Sequence, residues 1–167
     1  YKSQHLCGLN RPGHFDGVLT IVNRLFDLVK PTRAIFGKKD YQQLLLISDF
    51  VKENNLPINI IGSEIVRDQS GLALSSRNNH LSADEKKLAS NLYKTLKIIA
   101  NKGNKLTNND IINEKNRLLE LGFSIDYLNV CNPQELSKES NYNIRPLIVA
   151  IAAHIGEIRL IDNILIT

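Results

Sequence analysis

The chain has 167 residues, of which 43% are hydrophobic and 23% charged, with a net charge of +4 and a pI of about 9.1, values that suit one ordinary domain or two small ones. No apolar run approaches the length needed to span a bilayer, and the positive charge is scattered rather than gathered into a nucleic-acid-binding block, so it favours an anionic ligand only weakly. The two cysteines, Cys7 and Cys131, lack metal-ligand spacing and are too few for a disulfide scaffold, which predicts a reducing, cytoplasmic setting.

The first half of the chain alternates helix and strand signals. Residues 16–31 have apolar side chains at helical spacing and end at a proline, and residues 33–36 form a short apolar run that predicts a buried strand. A second helix is predicted over residues 40–53 and a second strand over residues 58–63. This alternation predicts an α/β fold with a parallel sheet.

The second half has a different pattern. Ser82 and Glu85 have capping-box spacing at the start of a helix predicted to end at Gly103, and another helix is predicted over residues 107–121. Three strand patterns follow, "IDYLNV", "PLIVAIAAHI" and "IRLIDNILI", and the last two predict an antiparallel hairpin near Gly156. We therefore predict two domains, residues 1–77 and a small α+β domain of residues 78–167.

The segment "FGKKDYQQL" is the first candidate for binding an anion. It follows the strand at residues 33–36, and ligands of open α/β sheets bind beyond the carboxyl ends of the strands. Gly37 would allow close approach to the backbone, Lys39 would reach phosphate oxygens and Asp40 would accept hydrogen bonds from a ribose. The alternative is structural: Asp40 and Gln43 have capping-box spacing, and the lysines would be solvated.

The segment "GLALSSRN" is the second candidate. Gly71 predicts a turn, and Leu72 and Leu74 alternate as in a short strand. The hydroxyl, backbone N–H and guanidinium donors that follow suit a polyphosphate, and they come from Ser75, Ser76, Arg77 and Asn78. The alternative is an ordinary Ser/Asn-rich loop that leads to the Ser82 helix cap.

A third segment, "GLNRPGHFDG", contains Arg11 and His14 around a Pro-Gly turn. A single histidine is a weak indication of catalysis, so His14 is interpreted as a structural loop residue.

Taken in order and spacing, "RPGHF", "FGKKDYQQL", "GLALSSRN" and "RLIDN" resemble the pantothenate synthetase (pantoate–β-alanine ligase) family along essentially the whole sequence. The resemblance implies a Rossmann-like α/β domain of the nucleotidyltransferase type with a parallel sheet, partial in this chain, followed by a small α+β C-terminal domain. It implies a ligase that joins pantoate to β-alanine with ATP and Mg²⁺ through a pantoyl-adenylate, and that is a homodimer when complete.

The resemblance also implies roles for individual residues. Lys39 and Arg77 would be catalytic, Gln43 would bind pantoate, and Val66 would meet adenine through its backbone. The residues implied to contact ATP are Gly37, Lys38, Lys39, Asp40, Val66, Leu74, Ser75, Ser76 and Arg77.

The sequence departs from the family in three respects. The family often has glutamate at Lys38, which leaves Lys38 only a backbone role, and some members have glutamate at Cys7. The family's first strand, its His-x-Gly-His-type phosphate motif and one pantoate glutamine have no counterpart here, and none of the four histidines lies in such a motif. The chain begins with Tyr1 and contains no methionine, so we expect a partial enzyme that is inactive alone.

Two alternatives stay open. One is a non-catalytic ATP-binding or oligomerisation fragment. The other is a nucleotidyltransferase of similar fold that acts on a phosphate ester, against which the glutamines of "YQQL" argue.

Overall fold

The computed structural model describes residues 2–167, and these divide into two compact units. The first unit ends at Ile65 and the second is Val66–Thr167. Residues 66–77, which the sequence patterns grouped with the nucleotide-binding part, make their contacts mainly with the second unit.

The first unit has the helix and strand order that the sequence predicts. It contains α1 (Leu6–Asn10), α2 (His14–Val29), β1 (Arg33–Gly37), α3 (Tyr41–Glu53) and β2 (Asn59–Ser63). The strands β1 and β2 pair in parallel, with Arg33 opposite Asn59 and Gly37 opposite Ser63. The α/β class with a parallel sheet is thereby confirmed.

The core of the first unit lies where α2 and α3 cover the two strands. Ile47 and Val51 of α3 are buried with Phe26 of α2, whose ring meets Phe36 of β1 edge-on at 6.5 Å. The prediction of a buried β1 was wrong for one of its faces, because Ile35 is 70% exposed. Alternate side chains of a strand point to opposite faces, and only one face of β1 is covered within this unit.

The second unit places two helices against an antiparallel sheet. It contains α4 (Ala83–Asn101), α5 (Asn108–Glu120), β3 (Ser124–Cys131), β4 (Leu147–Ile155) and β5 (Ile158–Ile166), in the sheet order β3-β4-β5. β4 and β5 form the predicted hairpin, and Gly156 in its turn has φ +52°, which glycine adopts without strain. The α+β architecture is as predicted, although α4 ends at Asn101 rather than at Gly103.

Local capping and burial explain why these elements form. The Ser82–Glu85 capping box is present at the start of α4, and Thr107 and Asp110 make a second one at α5. Leu92, Leu96 and Ile99 of α4 are completely or almost completely buried, and they share a core with alternate residues of the central strand β4, from Leu147 to Ile155. None of the described helices combines the length and the apolar character needed to cross a membrane.

Candidate active site

The first candidate segment lies at the carboxyl end of β1. A 3-10 turn of Lys38–Asp40 follows the strand directly, and α3 begins at Tyr41. Because β1 and β2 are parallel, Gly37 and Ser63 end at the same edge of the sheet. A methyl group added to Gly37 would meet open space, so this backbone is accessible to a ligand.

The two lysines of this turn have different surroundings. The Lys38 ammonium is paired with Glu64 across the two strand ends, and 37% of its side chain is exposed. Only 16% of the Lys39 side chain is exposed, and its Nζ lies 3.8 Å from Oδ2 of Asp40. Lys38 is therefore engaged with a protein carboxylate, which fits the backbone-only role expected for it.

Asp40 does not act as the helix cap that its spacing with Gln43 would allow. In the described part of the chain, the Asp40 side chain makes no capping hydrogen bond at the start of α3, and about half of it is exposed. The φ and ψ of Asp40 are −91° and 57°, outside the extended region typical of an N-cap residue. The capping-box interpretation is thus wrong, and the carboxylate stays at the surface beside Lys39.

The adjacent residue Gln42 has a structural role that sequence reasoning missed. Its side chain is buried, and its Nε2 donates to the carbonyl oxygens of Lys2 and His5, both at 2.7 Å. Its Oε1 accepts from the backbone N–H of Cys7 at 3.0 Å. Asp49, seven residues further along the same helix face, pairs with Lys2 at 2.6 Å. This helical spacing was the available signal that Gln42, unlike the half-buried Gln43, faces the protein.

Arg11 and His14 lie beside each other at the start of α2. Arg11 Nη1 is 2.9 Å from His14 Nε2, and the His14 ring lies 5.0 Å from that of Phe15. A cleft of about 530 Å³ borders Arg11, Gly13 and Phe15. The structure places His14 at the first helical residue rather than in a loop.

The second candidate segment is a hairpin of the second unit. Arg67 and Ala73 form an antiparallel bridge, Leu74 N donates to Val66 O at 2.9 Å, and Gly71 turns the chain with φ +89°. The common face predicted for Leu72 and Leu74 by strand alternation is wrong, since Leu72 is buried together with Ala73 and Leu74 is exposed.

An aspartate stabilises the turn of this hairpin. The Asp68 carboxylate accepts hydrogen bonds from the Ser70 hydroxyl and from the backbone N–H groups of Ser70 and Leu72. These bonds, with that of the Ser70 hydroxyl the strongest, lower the pKa of Asp68 because they stabilise its charged form. The turn is consequently held by an ionised side chain at neutral pH.

The donor cluster follows the hairpin. Ser75 caps a 3-10 turn of Ser76–His80, its Oγ accepting from Arg77 N at 3.3 Å, while the side chains of Ser76 and Arg77 are exposed. Asn78 is buried, and its Nδ2 donates to Ala73 O at 3.0 Å. Four of the residues implied to bind ATP therefore lie on the exposed side of this segment: Val66, Leu74, Ser76 and Arg77.

The structure thus gathers the candidates into two groups. Residues 37–43 lie together in the first unit, and residues 66–77 lie together in the second. Among the residues that the structure describes, no three His, Cys, Asp or Glu side chains are grouped in a way that could hold a metal ion.

Comparison with known proteins places this geometry in one family. The sequence model described as Pantoate-beta-alanine ligase matches residues 1–165. The chain is 45% identical to a pantothenate synthetase of Ectopseudomonas mendocina, covering 98% of this chain and 58% of that protein. It is 46% identical to a pantothenate synthetase of Acinetobacter baylyi, covering 95% of this chain and 57% of that protein.

Solved structures agree with the sequence relatives. A pantothenate synthetase from Thermus thermophilus is 38% identical, with a TM-score of 0.92 over 98% of this chain and 60% of that one. A pantoate-beta-alanine ligase from Francisella tularensis, complexed with beta-gamma ATP and beta-alanine, is 32% identical with a TM-score of 0.77, over 98% of this chain and 55% of that one. The chain spans somewhat less than two thirds of the length of these relatives.

Proposed function

The chain belongs to the pantoate-beta-alanine ligase family, and from this premise we propose that it supplies part of an enzyme that condenses pantoate with β-alanine at the expense of ATP. Pantoate is first adenylated with release of pyrophosphate. The amine of β-alanine then attacks the pantoyl-adenylate and releases AMP. The observation that supports this most directly is the pair formed by Lys39 and Asp40 at the carboxyl end of β1, since Asp40 is not used as a helix cap.

Lys39 is proposed to act on the phosphates of ATP. Negative charge builds up around the α-phosphate as the pantoate carboxylate attacks and pyrophosphate leaves. A cation that is already held in place stabilises that charge more than the ground state. The low exposure of the Lys39 side chain supports this role, because a partly buried stem restricts where the ammonium can lie.

Asp40 and Gln43 are proposed to bind the ribose and pantoate. The Asp40 carboxylate accepts hydrogen bonds from the two ribose hydroxyls, and the Gln43 amide binds pantoate from the first turn of α3. The neighbouring Gln42 is committed to the protein backbone, which leaves Gln43 as the glutamine of this pair for substrate.

The segment of residues 66–77 is proposed to bind the adenine and the triphosphate. Val66 O accepts one hydrogen bond from Leu74 N, and its second lone pair suits the adenine amino group. Leu74 is proposed to contact the nucleotide beside it. Ser75, Ser76 and Arg77 would surround phosphate oxygens with hydroxyl, N–H and guanidinium donors, and the arginine fork can bind two oxygens at once.

The remaining expectations belong to the complete protein. The donors of each group suit nucleotide phosphates, and a Mg²⁺ bound with the nucleotide would neutralise phosphate charge, its usual role in nucleotide sites. We further propose a homodimer in the cytoplasm. Neither Cys7 nor Cys131 forms a disulfide in the described part of the chain, and burial raises the pKa of Cys131 to about 12, which keeps that thiol protonated.

A pantoate-dependent exchange assay tests the proposal. Labelled pyrophosphate should enter ATP only when pantoate is present, in a mixture of this chain with the complementary part of a family enzyme. Exchange with a phosphate ester and not with pantoate would favour another nucleotidyltransferase. Nucleotide binding without exchange on any acceptor would favour a non-catalytic ATP-binding module.

A further inference from the structure

We propose that Arg67 and Asp162 are positioning residues that hold the hairpin of residues 66–74 in place for ATP without touching the nucleotide. This inference rests on the proposed function, because it assumes that the exposed side of the hairpin binds ATP. The observations behind it lie entirely within the second unit.

Arg67 and Asp162 form a bidentate ion pair. Arg67 Nη1 donates to Asp162 Oδ2 at 2.6 Å, and Nη2 donates to Oδ1 at 2.9 Å. Asp162 lies in β5 and is only 4% exposed. The pair therefore joins a hairpin at one end of the unit's sequence to the last strand of its sheet, in a geometry that a guanidinium provides and an ammonium does not.

The same guanidinium also closes the hairpin on itself. Nη1 donates to Gly71 O at 3.1 Å, at the tip of the turn, and Nη2 donates to Asn163 O at 3.3 Å. One side chain thus fixes the tip of the hairpin and the strand beneath it at the same time.

The ring of Tyr93 in α4 packs against both the Arg67 guanidinium and the turn at Gly71. Arg67 Cζ lies 3.7 Å from the centroid of its ring, a cation–π contact. A β-carbon on Gly71 would lie 2.6 Å from Cδ1 of the same ring, so only glycine fits the tip of the turn here. The hairpin is therefore held against both the sheet and α4.

The hairpin needs such an anchor because the residues that would meet ATP are not held by burial. Val66 is 64% exposed and Leu74 is 53% exposed, so their own side chains contribute little packing that would fix the backbone between them. Val66 precedes Arg67 directly, and Leu74 follows Ala73, the bridge partner of Arg67. A shift at Arg67 would displace both.

A buried ion pair is also a poor choice for stability alone. Removing two charges from water offsets much of their attraction, and apolar replacements of similar volume are often no less stable. What such a pair supplies is a fixed direction for its hydrogen bonds. That is the property needed to position a backbone carbonyl and a phosphate-binding turn.

Two measurements test the inference. One is amide hydrogen exchange of the 167-residue chain, and the other is an NMR titration with Mg-ATP of this chain assembled with the complementary part of a family enzyme. The variants are Arg67→Lys, which keeps the charge and loses the fork, and Asp162→Asn. The control is Arg117→Lys, because Arg117 also makes a partly buried ion pair in this unit, with Glu114, but on α5. Should Asp162→Asn fail to fold, Arg67→Lys and Arg67→Gln carry the test.

We expect the amides of Leu72 and Leu74 to exchange at least about tenfold faster in the Arg67 and Asp162 variants, with amides of the β4–β5 ladder unchanged. The apparent Kd for Mg-ATP, read at the amides of residues 75–77, should rise by about tenfold in the same variants. Arg117→Lys should change neither quantity. The ATP affinity of the folded molecules is the readout that a merely structural role would not move.

Three results would contradict the inference, and each has a different meaning. Unchanged exchange in both Arg67→Lys and Asp162→Asn would show that the pair does not anchor the hairpin. Faster exchange with an unchanged Kd would show that the anchor has no bearing on ATP, which overturns the positioning role. No response of residues 75–77 to Mg-ATP in the unmodified chain assembled with the complementary part of a family enzyme would overturn the proposed nucleotide site, and the positioning role with it, whatever the variants show.

Discussion

Lys38 and Lys39 are adjacent in the sequence but differ in what surrounds their ammonium groups. Glu64 already neutralises Lys38 at the surface, whereas Lys39 lies beside Asp40 with a mostly buried stem. A charge already paired at an exposed position adds little to the field at a neighbouring site, because solvent screens it. Substitution of Lys38 is therefore a matched control for the role of Lys39.

We expect Lys39→Ala to reduce the rate of pantoate adenylation by roughly a hundredfold, about 3 kcal/mol of transition-state stabilisation, as for other preorganised charge contacts. Lys38→Ala should change the rate little. The measurement is pantoate-dependent pyrophosphate exchange in the assembled enzyme. Equal losses in the two variants would contradict the assignment of Lys39.

Gln42 and Gln43 form a second matched pair. Gln43→Glu should raise the KM for pantoate sharply, because a carboxylate would face the substrate carboxylate, while the melting temperature stays nearly unchanged. Gln42→Glu should instead lower the melting temperature and leave the KM for pantoate nearly unchanged. It removes the two donors to Lys2 O and His5 O and brings a buried carboxylate against carbonyl oxygens. Its expected loss is about 2 kcal/mol of folding stability.

Steady-state kinetics and thermal unfolding of both glutamine variants separate the two roles. A normal KM for pantoate in Gln43→Glu would contradict the pantoate-binding role of Gln43.

At the scale of elements, the 3-10 turn that begins at Ser76 combines a structural and a proposed binding role. Ser75 caps the turn and Asn78 anchors it from within, while Ser76 and Arg77 stay exposed. A turn fixed from inside presents its outer side chains in a defined direction. This division explains how a Ser/Asn-rich loop and a phosphate site are compatible in the same few residues.

Arg77→Lys should therefore lower ATP affinity and adenylation together, because lysine cannot reproduce a bidentate contact with phosphate. In the unmodified protein, ATP should slow proteolytic cleavage within residues 75–80, since local opening is suppressed when a ligand binds the closed form. Limited proteolysis with and without saturating Mg-ATP checks this. Identical cleavage rates would favour a plain connecting segment.

The capping box of α4 predicts a pH effect on stability. The hydrogen bond from Ser82 N lowers the pKa of Glu85 below its usual value of 4.5, with the Ser82 hydroxyl adding to the effect. A carboxylate whose pKa is lower in the folded state stabilises the fold above its unfolded pKa, and this contribution disappears as the pH falls through the folded pKa.

Glu85→Gln should accordingly match the unmodified chain near neutral pH, since glutamine also completes a capping box. Its stability should fall less steeply between about pH 5 and pH 3. Urea unfolding across this range measures the difference, with Lys86→Gln as a charge-changing control on the same helix turn. Parallel pH profiles for Glu85→Gln and the unmodified chain would refute the assignment.

At the scale of the whole molecule, the first unit leaves several large apolar side chains exposed. Ile21, Leu25 and Leu28 recur at helical spacing on the outer side of α2, and all are more than half exposed, as is Ile35 of β1. The chain spans about 58% of the length of its curated relatives. Exposed apolar side chains at regular helical spacing, like those of α2, are typical of surfaces that another polypeptide covers.

We expect the 167-residue chain by itself to make no pantothenate and to bind ATP with a Kd in roughly the millimolar range or weaker. Adding a separately expressed polypeptide that matches the rest of the family enzyme should restore part of the activity. The second unit should fold in either case, since it has its own helices, sheet and core. Robust pantothenate synthesis by the 167-residue chain alone would refute this expectation.

Much of the local structure follows from the sequence by itself. Helical periodicity located α2 and α4, the spacing of Ser82 and Glu85 identified a cap, and the glycine between two strand patterns located the β4–β5 hairpin. These signals join residues within about four positions of each other, or across one tight turn, so they can be read without knowing the fold. The family motifs likewise indicated the chemistry before any geometry was known.

Only the tertiary structure decided which side chains of a motif are available for that chemistry. Asp40 and Gln43 have the spacing of a capping box and do not form one, while Gln42 binds backbone carbonyls nearly forty residues away in the sequence. Asp162 belongs to the motif "RLIDN" and Arg67 lies four residues before "GLALSSRN", but nothing local indicates that they pair. Hydrogen bonds and burial between distant residues depend on how the chain returns to itself, and that is why these assignments required the folded molecule.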